Sequence, residues 1–362
     1  MTVTIVGAGI VGCAIAYELA SRGVSVRVLD ARSVGRGATH ASAGILAPRI
    51  EGHSEALLRL TVRSLAMYDD FVSRLRADGA GAFEYERCGT LQVAFDAIEV
   101  ASLMEAASRL AEAAVPHALL NGPDALLLEP ALSPGVGAAL LMSEHGYVAP
   151  EPLNQALAEA ASRRGATFAV ARVDAVQGGA DHASVSVGAD TIASDAVVVA
   201  GGSWSSTLAE TGAVPVRPIR GQLLHLKARQ RVASRVLWGN RCYVVPWSDG
   251  SVLVGATVED AGFDETATAS GVRRLLDAAV ELVPGLDQAA FGGVRVGLRP
   301  MTGDELPAVG ASSTKPRVFY AIGHYRNGVL LAPLTASLVA DLVLDGREPP
   351  ELALMRPSRL GL

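Results

Sequence analysis

Cysteine is scarce. Cys13, Cys88 and Cys242 are the three in 362 residues, far apart and odd in number, which excludes a disulfide framework and any C-x-x-C zinc or redox motif. A reducing cytoplasm is the expected compartment. The seven histidines include no H-x-x-x-H or H-x-H pair, and no carboxylate cluster has ligand spacing, so no metal is expected. Charge is never concentrated. The balance of 31 Lys+Arg against 37 Asp+Glu, a net −6, is spread without a basic block or polybasic tail, which argues against nucleic acid and an acidic membrane as partners. Also missing are a repeat, a low-complexity linker, a basic amphipathic helix and an apolar tail. What is plentiful is apolar: 50% of residues are hydrophobic and 19% charged, enough to bury a large core in two domains. Small-molecule chemistry is the default expectation.

The apolar stretch "VTIVGAGIVGCAIAYELA", residues 3 to 20, has the length of a membrane segment or a signal core, but neither reading fits. No basic region precedes it, Glu18 lies inside it, and Gly7, Gly9 and Gly12 would weaken a single helix. It reads instead as a strand at Val3 to Val6, a G-x-G-x-x-G turn, and a helix from Cys13 to Ser21 ended by Gly23. A second strand, "VSVRVLD", follows and ends in Asp30. This is the Rossmann dinucleotide order: Gly7 for the tight turn, Gly9 for approach to a pyrophosphate, Gly12 for close helix packing, and Asp30 for a ribose diol.

Beyond Asp30, "ARSVGRGATHASAGILAP" suits a loop against a ligand, with Thr39 and Ser42 as phosphate donors. One helix is expected over 55 to 78, a strand at 89 to 95 and a helix at 98 to 114. After residue 147 come a helix, a strand reaching Val173, and a buried strand running into Gly201. Strands near 221 to 226, 241 to 246 and 251 to 256 and a helix at 270 to 283 follow. A last strand, a glycine turn and a long helix close the pattern. The expected fold is α/β, with a Rossmann-like nucleotide-binding domain (1–48, 145–215 and 296–362) interrupted by an α+β domain with an antiparallel sheet (49–144 and 216–295).

Four segments carry a resemblance: "IVGAGIVGCAIAYELA", "YVVP…LVGAT" (243–246, 253–257), "GLRPMTGDELPAVG" (297–310) and "GHYRNGVLLAP" (323–333). Together they resemble the bacterial, ThiO-like glycine oxidases of the D-amino-acid oxidase superfamily, with gaps, over about residues 2 to 345. The resemblance implies that the Rossmann-like domain is an FAD-binding domain and the α+β domain a substrate-binding domain. It implies non-covalent FAD, since no cysteine follows Cys242 in the chain, and oxidation of glycine, sarcosine or small D-amino acids to the imine. Hydride would pass from Cα to flavin N5 without a side-chain base, and O2 would become H2O2. It implies that Arg299 holds the substrate carboxylate, that Tyr243 assists, and that Arg326 lies near the substrate. A guanidinium suits the first task because its planar fork binds a carboxylate twice. The residues alone leave other roles open: a structural salt bridge for Arg299, a core position for Tyr243, and capping for Arg326.

Val173 matches a backbone contact to adenine, and Ala43, Gly44 and Ile45 match the loop under the flavin ring. The implied cofactor set also includes Ala31, Ala200, Gly201, Gly323, Asn327, Gly328, Val329 and Leu330. Val258 stands where such enzymes often carry methionine, so a wider substrate pocket is expected. His324 is expected to pack against the cofactor. A homo-oligomer away from membranes is expected. Three rivals use the same start: a flavin dehydrogenase feeding a quinone or carrier, a nicotinamide reductase, whose second fingerprint is missing, and a non-catalytic flavin-binding protein.

Overall fold

A computed structural model describes residues 1–50, 54–208 and 214–362. The first strand, Thr2–Val6, sits between Ser25–Asp30 and Ala196–Val199, both parallel to it. Thr167–Val170 extends one side, and Val318–Ile322 then the antiparallel Ala308–Ala311 extend the other, making six strands. The chain therefore builds outward in both directions from the first strand. That is the topological switch point outside whose carboxyl ends ligands settle.

Alternation along the central strands sorts their side chains to two faces, each packed against another layer. Val3, Ile5, Val26, Val28 and Val198 face a helical layer that includes Ile10–Ser21, Pro150–Arg163 and Gly328–Asp345. Val6, Leu29, Val197 and Val199 pack toward a small antiparallel sheet of Ala175–Gly178, Ala183–Val187 and Asp190–Ser194. Burial on both faces explains why Thr2–Val6 and Ala196–Val199 at the centre of the sheet read as nearly continuous apolar runs. Gly328–Asp345 is long and apolar enough to cross a membrane by composition, yet most of its length is buried inside the fold. It is a core helix here.

The second sheet has eight strands in the order Ala290–Met301, Arg217–Lys227, Ser251–Gly255, Tyr243–Pro246, Val236–Trp238, Thr90–Ala94, Ala138–Met142 and Ala118–Asn121. One pair is parallel, Val236–Trp238 with Thr90–Ala94, so the expected antiparallel sheet is a mixed one. Leu224, Leu226, Val244, Val252 and Val254 point to a core shared with the helix Ala269–Leu282. The residues between them point the opposite way, and this face carries the site.

Three further expectations change. Residues 55 to 78 form two helices, Glu55–Ala66 and Tyr68–Ala77, separated at Met67 by a tightened turn in which Met67 donates to Ser64 O. The break suits the packing, because Ser64 and Tyr68 on either side of it both bond the helix Gly328–Asp345. The strand expected to reach Val173 stops at Val170, and Ala171 donates to Asp30 O as the chain turns off the sheet. The first helix starts at Ile10, inside the glycine motif, because Gly12 has no side chain to collide with Gly7 O.

Candidate active site

Gly7 has φ +114, and a methyl on it would fall well inside 3.0 Å of Ala200 O. Only a glycine lets the first strand end against Ala200 in this way. Gly9 then caps the helix Ile10–Ser21 without any side-chain bond of its own. Thr39 supplies the cap instead, its Oγ1 accepting from Ile10 N at 3.0 Å, so its hydroxyl proton points elsewhere. Asp30 accepts from Ala8 N at 2.7 Å and from Arg32 N at 2.8 Å. One bond to each oxygen ties the carboxylate to the glycine turn and leaves lone pairs for a diol.

At the far end of the sheet, Gly323 turns with φ +73 and the helix Gly328–Asp345 begins without a side-chain cap from Asn327. Pro333 lies inside this helix. It has no N–H for the carbonyl of Val329, four residues back. Tyr68, fully buried, donates its hydroxyl to that carbonyl at 2.6 Å, and Ser64 donates to Leu330 O at 2.7 Å. The first turn is thereby pinned from outside.

The free face of the large sheet supplies the opposite wall. Its pleat sets Trp238, Tyr243 and Gly255 in one cross-strand row, with Gly221, Gly297 and Arg299 on the same face. The Tyr243 ring lies over Gly255, where a methyl would overlap the ring, and 5.1 Å from the Trp238 ring. Arg299 donates through Nη1 to Thr257 O at 3.0 Å and Arg220 O at 3.4 Å. Past Thr257 the chain crosses the mouth. Val258 and Phe263 are exposed there, Phe263 rests on Trp204, Trp204 lies under Arg32 at 4.3 Å, and Arg32 pairs bidentately with Glu265.

All of these parts meet in one cavity of about 870 Å³. Every residue singled out in the sequence lines it except Gly12, which sits behind the turn against Gly7. The lining also holds Arg32, Trp204, Trp238, Arg241, Cys242 and Phe263, to which the sequence assigned no role at a site. No motif marks them, because they reach the cavity from several separate parts of the chain, around residues 32, 204, 238–242 and 263. Among the described residues no group of His, Cys, Asp and Glu could hold a metal.

The family model for FAD dependent oxidoreductases, DAO, matches residues 2–342. The chain belongs to that family. It is similar to glycine oxidase of Geobacillus kaustophilus, 33% identical over 94% of this chain and 92% of that protein; the crystal structure of that enzyme superposes with a TM-score of 0.91 over 96% and 95%. It is also similar to the bifunctional protein ThiO/ThiG of Nostoc sp., 34% identical over 99% of this chain and 55% of that protein. The chain thus spans about half the length of the bifunctional relatives it matches. Iminodiacetate oxidase of Chelativorans sp. superposes with a TM-score of 0.89 at 28% identity, over 96% of each chain.

The cavity of this FAD-dependent oxidoreductase suits its cofactor on grounds internal to the structure. The glycine turn is a cradle that a side chain would fill, and two helix N-termini without side-chain caps from their own N-cap residues reach the same cavity. His324 lines the space but is buried, with Nε2 3.1 Å from Thr335 Oγ1, and burial lowers its pKa to about 4. It is neutral at physiological pH.

The unfolded chain, with an ordinary histidine value near 6.5, takes up a proton that the folded state refuses until about pH 4. The stability His324 contributes is therefore complete above pH 6.5 and is lost as pH falls toward 4. From pH 7 to 5 the loss is about 2 kcal/mol. Urea unfolding of the flavin-loaded protein at both pH values should show His324→Gln losing less than wild type by that amount, and equal losses would mean that His324 protonates freely in the fold.

Proposed function

We propose that the chain oxidises glycine, sarcosine and small neutral D-amino acids at the CH–N bond, with O2 reduced to H2O2 and the imine hydrolysing in water. The observation that carries this reading is that Arg299 and Tyr243 open into the same cavity as the glycine turn and the start of the last helix. The glycine oxidases among its relatives support it. FAD, when bound, accepts the two electrons released by the amine and passes them to oxygen.

The chain's own residues bind and orient. Asp30 would accept from the ribose hydroxyls, Thr39 would donate to the pyrophosphate with the helix N-terminus behind it, and the last helix would meet the polar edge of the ring system. Arg299 would take the substrate carboxylate in two parallel bonds, with Tyr243 adding a phenolic donor and Arg326 close by. His324, neutral and engaged by Thr335, supports a reaction without a histidine base. The division into a cofactor portion (1–48, 145–215, 296–362) and a substrate portion (49–144, 216–295) belongs to the same reading; residues 51–53 and 209–213 of these segments lie outside the described residues.

Peroxide release by the purified yellow protein across glycine, sarcosine, D-alanine, D-proline, larger D-amino acids and L-alanine tests the proposal. Turnover of the small achiral and D-substrates is expected, with none of L-alanine, because anchoring the carboxylate leaves one side for the substituent. Val258 lines the cavity and is half exposed. Val258→Met should therefore shift relative kcat/KM toward glycine by about 1 to 3 kcal/mol. Acid denaturation should release the flavin from the chain. Flavin that bleaches with substrate but reoxidises in air only over many minutes would replace oxygen with another electron carrier, and turnover of L-alanine would overturn the substrate orientation.

A further inference from the structure

We infer that Gly221 is a positioning residue for the substrate carboxylate: its missing side chain is the seat on which the Arg299 guanidinium lies flat, and Glu259 holds the frame of that seat. The inference rests on the proposed role of Arg299. Gly221 stands on the strand Arg217–Lys227 opposite Gly297, on the face that carries Arg299. A methyl on Gly221 would have as its three nearest heavy atoms Nη2, Cζ and Nη1 of Arg299, all well inside 3.0 Å. The backbone of Gly221 is not in the left-handed region, so conformation does not require glycine here. Within a strand, alanine would ordinarily be preferred. The obstacle is one flexible side chain, the anchor.

The carbonyls that receive Arg299 Nη1, those of Arg220 and Thr257, are fixed by a second set of bonds. Arg220 N donates to Glu259 O at 2.8 Å and Glu259 N to Arg220 O at 3.0 Å. The side chains of the same two residues pair, Arg220 Nη2 donating to Glu259 Oε2 at 2.6 Å, and Arg220 is buried. Gln222 Nε2 donates to Glu259 Oε1 at 2.7 Å, while Gln222 N donates to Thr257 Oγ1 at 2.9 Å. The segment 257–259 is thereby laced to 220–222, and the guanidinium is held against a flat floor with its two carbonyls in fixed places. A bidentate partner needs that constancy, since its strength depends on the plane and direction of the fork.

The test uses the flavin-loaded protein and acetate as a bare carboxylate probe, its binding read from the perturbation of the flavin absorption spectrum. Gly221→Ala should retain flavin and thermal midpoint, yet weaken acetate binding by about tenfold or more. In an Arg299→Ala background the same change should move acetate affinity by no more than about twofold, because the methyl then meets no guanidinium. Glu259→Gln should weaken acetate binding in the same direction and raise substrate KM while leaving kcat in place, which provides a second route if Gly221→Ala does not fold. Wild-type acetate affinity in Gly221→Ala, an equal effect in both backgrounds, or wild-type affinity in Glu259→Gln would overturn the inference while leaving the oxidase reading intact. Wild-type acetate affinity in Arg299→Ala would remove the anchor itself and the inference with it.

Discussion

Arg299→Ala should raise the KM for amino-acid substrates by roughly 2 to 5 kcal/mol in binding free energy. Arg299→Lys should rescue little of it. The reason is geometric: Arg299 reaches the cavity from the strand Ala290–Met301, lies over Gly221, and uses Nη1 on the carbonyls of Thr257 and Arg220. A lysine ammonium is a point charge on a flexible stem and cannot present two parallel donors from that plane. Tyr243→Phe should cost less, because it removes one neutral donor and keeps the ring packed against Trp238 and Gly255. Steady-state kinetics on glycine and on an amine without a carboxylate separate the possibilities. If the variant loses the amine as severely as glycine, Arg299 supports the fold rather than the substrate.

The second large effect concerns the cofactor. Gly7→Ala should give a chain that purifies with less than about a tenth of the flavin of wild type, since both backbone strain and a collision must be relieved at once. The position has φ +114, a region L-residues rarely enter, and the added methyl would meet backbone, Ala200 O, which no rotamer change can move. Relief requires parting the ends of the two central strands, where the pyrophosphate would lie. Gly23→Ala is the control. Gly23 has φ +80 but nothing within 4 Å of an added methyl, so it should lose only the roughly 1 kcal/mol of a strained backbone and stay yellow. The ratio of flavin to protein absorbance and urea midpoints report both quantities. A Gly7→Ala protein with full flavin would show that the turn can open without losing the cofactor.

The dinucleotide half of the site was legible because its information is local. Strand, glycine turn, helix and Asp30 fall within the first 30 residues, where Gly7 takes a positive φ, Gly12 leaves room for Gly7 O, and Asp30 accepts from Ala8 N. Local patterning also placed the helices at Ala97–Glu112 and Ala269–Leu282 and the last helix at Gly328–Asp345. Boundaries failed where a distant contact decided them. Met67 breaks a helix whose two halves both bond the last helix, and Val173 leaves its strand as Ala171 bonds Asp30 O.

The substrate half was legible only as motifs whose roles came from resemblance, because nothing near Arg299 in sequence states what its side chain lies on. The pleat of the large sheet decided that. It put Trp238, Tyr243, Gly255, Gly221 and Arg299, spread from residue 221 to residue 299 of the chain, on one face, and the segment past Thr257 brought Phe263 and Glu265 across to Trp204 and Arg32. By itself the sequence determined the turn that a nucleotide needs, since a backbone constraint is written in neighbouring residues. Only the tertiary structure decided what the anchor rests on and which side chains close the cavity, because those depend on strand register and on contacts between segments that are far apart along the chain.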